Sequence, residues 1–226
     1  MTEAELRELA ARGAAELDGA SATDLLQWTD RTFSGKWVVA CNMQDAVLVD
    51  LAARVRPGVP VMYIDTGNEF PETLGMRDAV AATYDIELIT LHPEPAVLDL
   101  GTSLCQTDPT ECCRLRKVVP LTNALRGYSA WVTGLRRVDA ATRADAPLVS
   151  FDEKFTLVKV NPLAAWSDQD MADYISEHNV LVHPLVDEGY PSIGCKPNTT
   201  KPAPGADKRS GRFAAFNKTE CGLHVS

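Results

Sequence analysis

Apolar residues along the first part of the chain follow two alternating patterns. Leucines and alanines at helical spacing predict a helix over residues 3–18, and Ser21 or Thr23 is a suitable cap for a second helix. Short runs rich in β-branched residues then predict buried strands, with further helices between and after them. The predicted strands are residues 36–41, 59–64, 86–91, 129–134 and 155–161, and the predicted later helices are residues 46–52, 71–83 and 167–178.

Strands that alternate with helices are typical of a parallel sheet covered on both faces. We therefore predict an α/β fold, a parallel twisted sheet flanked by helices. Ligands of such sheets bind beyond the carboxyl ends of the strands. The segments expected there, residues 41–45, 65–68 and 134–139, are polar, and two of them contain glycine. These segments are the first candidates for a binding site.

Composition and charge narrow the class of protein. The chain has 226 residues, is 45% hydrophobic and has a formal net charge of −9, so it can form a core but is too acidic for a general nucleic-acid binder. We expect no membrane partner, because no stretch reaches the roughly 20 apolar residues of a membrane helix. The acidic N-terminus does not resemble a secretory signal, so we expect a cytoplasmic protein with reduced thiols.

In that compartment, cysteines favour metal binding or catalysis over disulfides. Cys112 and Cys113 are adjacent, an arrangement that strains a disulfide but suits neighbouring ligands of an iron–sulfur cluster. Cys195, in a Gly-Cys-Lys-Pro turn, is the candidate third ligand. The alternative is that all three are buried small apolar residues.

Basic residues cluster around these segments. Guanidinium groups match phosphate and sulfate oxygens in bidentate fashion, and cations beside a cluster would compensate its negative charge. The alternative for each is a surface position, above all for Arg114. The candidates are Arg114, Arg116, Lys117, Arg136, Arg137, Arg143, Arg209 and Arg212.

The C-terminal region has a different character. Residues 189–219 are rich in Gly, Pro, Lys and Thr and offer little core material, so we expect a mobile C-terminal tail. Near its end Cys221 is followed by Gly222, which frees the backbone, and by His224, which would favour the reactive thiolate. Cys221 is therefore the candidate nucleophile, and the alternative is an accidental exposed thiol.

Taken together, these motifs resemble the assimilatory adenylyl-sulfate and phosphoadenylyl-sulfate reductases, most closely the bacterial iron–sulfur branch. The resemblance runs from about residue 36 to the C-terminus. It rests on Asp65-Thr-Gly, Glu111-Cys-Cys-Arg-Leu-Arg-Lys117, Gly134-Leu-Arg-Arg137, Tyr190-Pro-Ser-Ile-Gly-Cys195, Gly211-Arg212 and Glu220-Cys-Gly-Leu-His224.

The resemblance implies one sulfonucleotide reductase domain over residues 1–226. It would comprise N-terminal helices (1–35), a Rossmann-like core that binds adenine nucleotides (36–188), and a cluster loop with a catalytic tail (189–226). Residues 40–45 would be a modified phosphate loop. The substrate-binding residues that the resemblance implies are Cys41, Asn42, Asp45, Asp65, Lys117, Gly134, Arg136, Arg143, Arg209 and Arg212.

The resemblance also implies a reaction. Cys221, with His224 beside it, would attack the sulfur of adenosine 5′-phosphosulfate (APS), expel AMP and become an S-sulfocysteine, from which thioredoxin would release sulfite. Cys112, Cys113 and Cys195 would hold a [4Fe-4S] cluster. The sequence leaves open whether the chain forms a homo-oligomer.

Three positions depart from the family pattern. Asn198 stands where a fourth cysteine ligand is expected, and an amide oxygen is a poor iron ligand. The outcomes left open are a labile cluster, a three-iron cluster, a ligand from outside the chain, or no cluster. A cysteine altered to asparagine at position 198 would also explain the pattern. Cys105 is a conceivable substitute on proximity in sequence alone. Cys41 replaces a small hydroxyl residue and Phe213 a tryptophan, and both look tolerable.

Two further functions compete with APS reduction. Within the same family, the substrate could carry a 3′-phosphate, although the Cys112-Cys113 pair favours the unphosphorylated nucleotide. In a different class, the chain could be a non-catalytic iron–sulfur or redox-sensing protein on the same fold. An adenylating ligase or ATP pyrophosphatase is weaker, because residues 41–45 lack the Ser-Gly-Gly run that holds pyrophosphate.

Overall fold

The computed structural model describes residues 1–216 of the chain. Cys221 and His224 lie outside the described residues, as does the end of the predicted tail. Within the described part, the helices are α1 (Glu3–Glu16), α2 (Ala22–Phe33), α3 (Val47–Val55), α4 (Pro71–Thr83), α5 (Pro95–Leu98), α6 (Ser103–Thr107), α7 (Pro109–Cys113), α8 (Val119–Leu125) and α9 (Asp168–His178). The strands are β1 (Trp37–Ala40), β2 (Val59–Ile64), β3 (Ile86–Leu91), β4 (Ala130–Thr133), β5 (Val149–Asp152) and β6 (Leu157–Val160).

The strands form one six-stranded sheet in the order β3-β2-β1-β4-β6-β5. The first five of these strands are parallel, and β5 runs antiparallel to β6 at the edge. In the centre, Val39 of β1 pairs with Val61 on one side and with Val132 on the other. The predicted α/β fold is confirmed, with the addition of the antiparallel edge strand.

The two N-terminal helices cover the sheet from one side. Thr2 and Ser21 cap α1 and α2 with reciprocal capping boxes, so Ser21 rather than Thr23 begins the second helix. Helix α1 packs against β5 and β6, and α2 packs against α3. Leu25 and Leu26 of α2 are fully buried in the core formed with these elements. No helix within residues 1–216 is long and apolar enough to cross a membrane.

The segment from residue 189 to residue 216 was expected to contribute little to the core, and few of its apolar residues are buried. Ile193 and Phe213 are each only 3% exposed. The segment folds back on itself, since the amide of Thr200 donates to the carbonyl of Gly211 and the amide of Phe213 donates to that of Asn198. A few apolar residues thereby become buried although the composition is polar.

His183 connects this end of the molecule to α4. Its buried imidazole accepts a hydrogen bond at Nδ1 from the Leu185 amide (3.1 Å), so Nε2 carries the proton and donates to Thr73 Oγ1 (2.9 Å). Burial lowers the pKa of His183 below its ordinary value.

We therefore expect His183 to make the protein less stable in mild acid. Because the pKa is lower in the folded than in the unfolded state, the stabilising contribution is complete above the unfolded pKa of about 6.5 and is lost as the pH falls toward the folded value. Urea unfolding from pH 8 to pH 5 should show a steeper fall for the unchanged protein than for His183→Gln. Parallel curves would contradict this role.

Candidate active site

The carboxyl ends of the central strands open into one cleft of about 420 Å³. The predicted segments after β1 and β4 both line it, as do residues 191–194, Lys208, Arg209 and Arg212. The predicted substrate-binding residues that line the cleft are Cys41, Asn42, Asp45, Lys117, Gly134, Arg136, Arg143, Arg209 and Arg212.

Asp65 is the one predicted substrate-binding residue that does not line this cleft. Its Oδ1 accepts a hydrogen bond from the Gly67 amide (2.9 Å), and its Oδ2 lies 3.7 Å from the Arg77 guanidinium. Gly67 has φ +75°, a backbone conformation that favours glycine. The carboxylate therefore shapes the turn after β2.

The loop after β1 is built from short side-chain turns. Asn42 Oδ1 accepts from the Gln44 amide (3.2 Å), and Asp45 Oδ1 accepts from the Val47 amide (3.1 Å). The Cys41 thiol also lies in this loop, where burial raises its pKa to about 12. At neutral pH Cys41 is therefore a neutral thiol and does not compete as a nucleophile.

Gln44 ties this loop to the far side of the cleft. Its side-chain amide donates to the carbonyl of Pro191 (3.3 Å), and its Oε1 accepts from the amide of Ile193 (3.1 Å). The sequence marks Gln44 only as part of a polar segment, because hydrogen bonds across 147 residues leave no periodic signal. Gln44 fixes the distance between the loop after β1 and the Gly194-Cys195 turn.

Carboxylates pair with basic side chains that line the cleft. Arg136 donates to Asp139 (2.7 Å) and to Asp168 (3.1 Å), and Asp168 also pairs with Lys208. Lys208 and Arg136 together hold the pKa of Asp168 below its ordinary value. This network, which the sequence did not reveal, ties residue 208 to the start of α9.

The three predicted cluster ligands meet in a small cavity next to the cleft. Cys112 and Cys113 end α7, and Cys195 precedes the 3₁₀ turn Lys196–Asn198. All three thiols are buried, and the Thr66 hydroxyl lies 3.4 Å from Cys195 Sγ. The remaining residues that line this cysteine cavity are Arg116, Lys117, Asn198, Arg212 and Phe213.

The polypeptide widens into a π-helical turn, Arg114–Val118, directly after the cysteine pair. Such turns are rare and often occur at functional sites. Here the turn directs Arg116 inward, while Arg114 stays exposed and pairs with Glu111, as expected for a solvent-facing position. Lys117 reaches both the cysteine cavity and the cleft.

Two buried arginines show that the cysteine cavity suits an anionic group. Arg116 donates to the carbonyls of Thr66 and Val97, and Arg212 to that of Ile193 (2.9 Å). Within the described residues, the Nε of each of these arginines is buried without a hydrogen-bond partner. A thiolate-bound iron–sulfur cluster carries negative charge and accepts such bonds at sulfur, so the residues present fit it.

The same residues do not form a site for a single metal ion. Among residues 1–216, no three His, Cys, Asp or Glu side chains are arranged to hold one ion. An iron–sulfur cluster requires a different arrangement of ligands, because its cysteines bind different iron atoms.

Gly194 makes room for Arg212. A Cβ atom at position 194 would lie 2.0 Å from Arg212 Nη2 and 2.4 Å from Cζ, so Gly194→Ala would displace this guanidinium. We expect AMP affinity to fall about tenfold or more, the cost of one charge-assisted hydrogen bond, with little change in far-UV circular dichroism. Isothermal titration would measure the affinity.

The matched control is Gly75→Ala in α4, where a Cβ atom would meet nothing within 4 Å. This variant should bind AMP like the unchanged protein. If both substitutions left AMP binding unchanged, Arg212 would not contact the phosphate that AMP shares with APS.

The fold and the site together define an α/β protein with a basic, nucleotide-sized cleft beside a cysteine cavity. A family model described as "Phosphoadenosine phosphosulfate reductase domain" matches residues 36–201, and the chain belongs to this family. The resemblance recognised in the sequence is thereby confirmed.

The chain is also similar to individual proteins of this family and to solved structures. The chain is 65% identical to the adenosine 5′-phosphosulfate reductase of Mycolicibacterium smegmatis, over 100% of this chain and 97% of the relative. It is also similar to the crystal structure of phosphoadenylyl-sulfate reductase from Candida auris, with a TM-score of 0.75 and 27% identity over 86% of this chain and 97% of that one. An FMN adenylyltransferase of Candida glabrata shares the fold, with a TM-score of 0.56 and 15% identity over 87% of this chain and 74% of that one.

Proposed function

We propose that this chain reduces APS to sulfite and AMP in sulfate assimilation. The observation that carries the proposal is the basic cleft, in which nine of the ten predicted substrate-binding residues meet beside the cysteine cavity. The full-length identity to a relative named for the same reaction supports it.

The cleft provides two environments for such a substrate. Apolar residues from the central strands, Met62 and Trp131 among them, suit the adenine. Lys117, Arg143, Arg209 and Arg212 suit the phosphosulfate oxygens. This division would hold the sulfate end next to the cysteine cavity and leave its sulfur open to attack.

In the proposed first step, the Cys221 thiolate attacks the sulfur. A sulfur–sulfur bond forms, the bond from sulfur to the phosphate oxygen breaks, and AMP leaves with that electron pair. His224 would favour the thiolate form of Cys221.

In the second step a dithiol protein, which we propose is thioredoxin, attacks Cys221 Sγ and releases sulfite. Its second thiol then displaces the Cys221 thiolate and leaves a disulfide, so that the dithiol supplies the two electrons. A cytoplasmic location, where such dithiols stay reduced, agrees with this requirement.

Cys112, Cys113 and Cys195 would hold the proposed iron–sulfur cluster. When bound, a cluster supplies polarisable charge next to the sulfate end of the cleft. Lys117 and Arg212 line both cavities and would orient the sulfate relative to it.

We also propose that the chain works as one domain, because α1 packs on the same sheet that carries the cleft.

The decisive experiment separates APS reduction from its alternatives. The protein is incubated with labelled APS, without thioredoxin, and intact mass should show a sulfonate adduct on Cys221. Cluster-loaded, folded protein that forms no adduct would instead support the non-catalytic redox protein. With thioredoxin added, sulfite should come from APS and far more slowly from its 3′-phosphorylated form, which is the substrate class named for the Candida auris protein. The reverse preference would overturn the proposed substrate.

A further inference from the structure

Asn198 leaves the cysteine cavity one thiolate short of the four cysteines that usually bind a [4Fe-4S] cluster. Its amide can offer iron only a neutral oxygen, which is a poor ligand for this metal. A fourth ligand must therefore come from elsewhere if the chain is to bind every iron of a complete cluster.

Cys105 is the remaining cysteine that lies at this site within the described residues. It is fully buried on α6, and α6 packs against α7, which ends in Cys112 and Cys113. Helix α6 also packs directly against the 3₁₀ turn Lys196–Asn198. The helix that carries Cys105 therefore packs both on the helix with two predicted cluster ligands and on the turn that lacks one.

The loop after β2 holds Cys105 and Cys195 together. The side-chain amide of Asn68 donates to Cys105 Sγ (3.1 Å). The backbone carbonyl of Asn68 accepts from the backbone amide of Lys196 (2.8 Å). In the same loop, the Thr66 hydroxyl contacts Cys195 Sγ. Hydrogen bonds to sulfur are a common feature around cluster thiolates, because they stabilise the charge on sulfur.

We propose that Cys105 is the fourth thiolate ligand of the cluster, in the place that Asn198 cannot fill. The inference rests on the cluster of the proposed function. Cys105 does not line the cysteine cavity, so ligation requires the five-residue helix α6 to move toward the turn against which it already packs. On binding iron, the Cys105 thiol loses its proton to solvent.

The test compares cluster content among substituted proteins purified without oxygen. Iron and acid-labile sulfide are measured per chain, together with the visible absorption spectrum and the electron paramagnetic resonance spectrum after mild oxidation. The unchanged protein should hold about four irons. Cys105→Ser should lose at least about a quarter of the iron and show a three-iron signal.

Asn198→Cys provides the complementary variant. In the Cys105→Ser/Asn198→Cys protein, iron content and spectrum should return to those of the unchanged protein, because the fourth thiolate is restored in the turn. Cys41→Ser is the matched control, since Cys41 lies in the cleft but outside the cysteine cavity, and its iron content should not change. Circular dichroism verifies folding, and Cys105→Ala replaces Cys105→Ser if the serine variant misfolds.

Two results would overturn the proposal. The first is full iron content and an unchanged spectrum in a folded Cys105 variant. The second is an unchanged protein without a cluster beside an Asn198→Cys protein that holds one. Sulfite release from APS is measured on the same samples, and because iron content is scored independently, failure of the fourth ligand is distinguishable from failure of APS reduction.

Discussion

Replacing Cys221 by serine should lower the rate of sulfite formation by about 10⁴-fold or more, the scale seen when a catalytic nucleophile is removed. A serine hydroxyl is almost entirely protonated at neutral pH and is a far weaker nucleophile than a thiolate. A sulfate ester on serine would also offer no sulfur–sulfur bond for a dithiol to cleave. Sulfite release from APS with excess thioredoxin measures the effect.

The other cysteines are poorly suited to replace it. Within residues 1–216, Cys105, Cys112, Cys113 and Cys195 are buried, and burial raises the pKa of the Cys41 thiol to about 12. A thiol that is buried or protonated at neutral pH is a poor nucleophile. Cys221→Ser should therefore lose both the adduct and the sulfite, and its AMP affinity should match that of the unchanged protein. Adduct formation on another cysteine would assign the nucleophile elsewhere.

The sheet was predictable because its signals are local. The predicted bounds of β2, β3 and α4 are confirmed to the residue. In each case an apolar run or pattern has a glycine, proline or aspartate within two residues of each end. The carboxyl ends of the strands, and hence the cleft, follow from the same patterns.

Elements too short to show a full period of apolar spacing were not predicted from the sequence. Helices α5, α6 and α7 have only four or five residues each, too few to repeat an apolar spacing. The π-helical turn Arg114–Val118, which buries Arg116, has no sequence signature. The edge strand β5 is four residues long and was also missed.

Long-range contacts account for the remaining differences between the predicted and the observed structure. Residues 196–213 fold back through hydrogen bonds that composition does not encode, and Asp168 meets Lys208 across 40 residues. The sequence suggested Cys105 only by proximity, whereas the structure packs its helix against α7, which ends in Cys112 and Cys113. Residue types and motifs thus predicted which residues gather around the cleft and the cysteine cavity, and tertiary folding determined their contacts.

Arg212→Ala should have the next largest effect. Arg212 is only 8% exposed, lines both the cleft and the cysteine cavity, and donates to the Ile193 carbonyl and to Ser192 Oγ. Its loss removes a fixed cation from the end of the cleft where we propose that the phosphosulfate binds, so we expect kcat/KM for APS to fall by about 10²- to 10³-fold. Two acceptors also lose a donor, which should lower the free energy of unfolding by about 1–3 kcal/mol.

Two comparisons separate the chemical role of Arg212 from its structural one. Arg212→Lys keeps the charge but cannot reproduce the planar set of donors, so it should recover only part of the lost rate. Arg114→Ala removes an exposed arginine that pairs with Glu111, and it should change neither kcat/KM nor the urea midpoint appreciably. If Arg212→Ala lost stability but kept its kcat/KM, the guanidinium would serve only to hold residues 192–193 in place. If it lost both, with partial recovery of kcat/KM in Arg212→Lys, the same guanidinium would hold the turn before Cys195 and bind the sulfate.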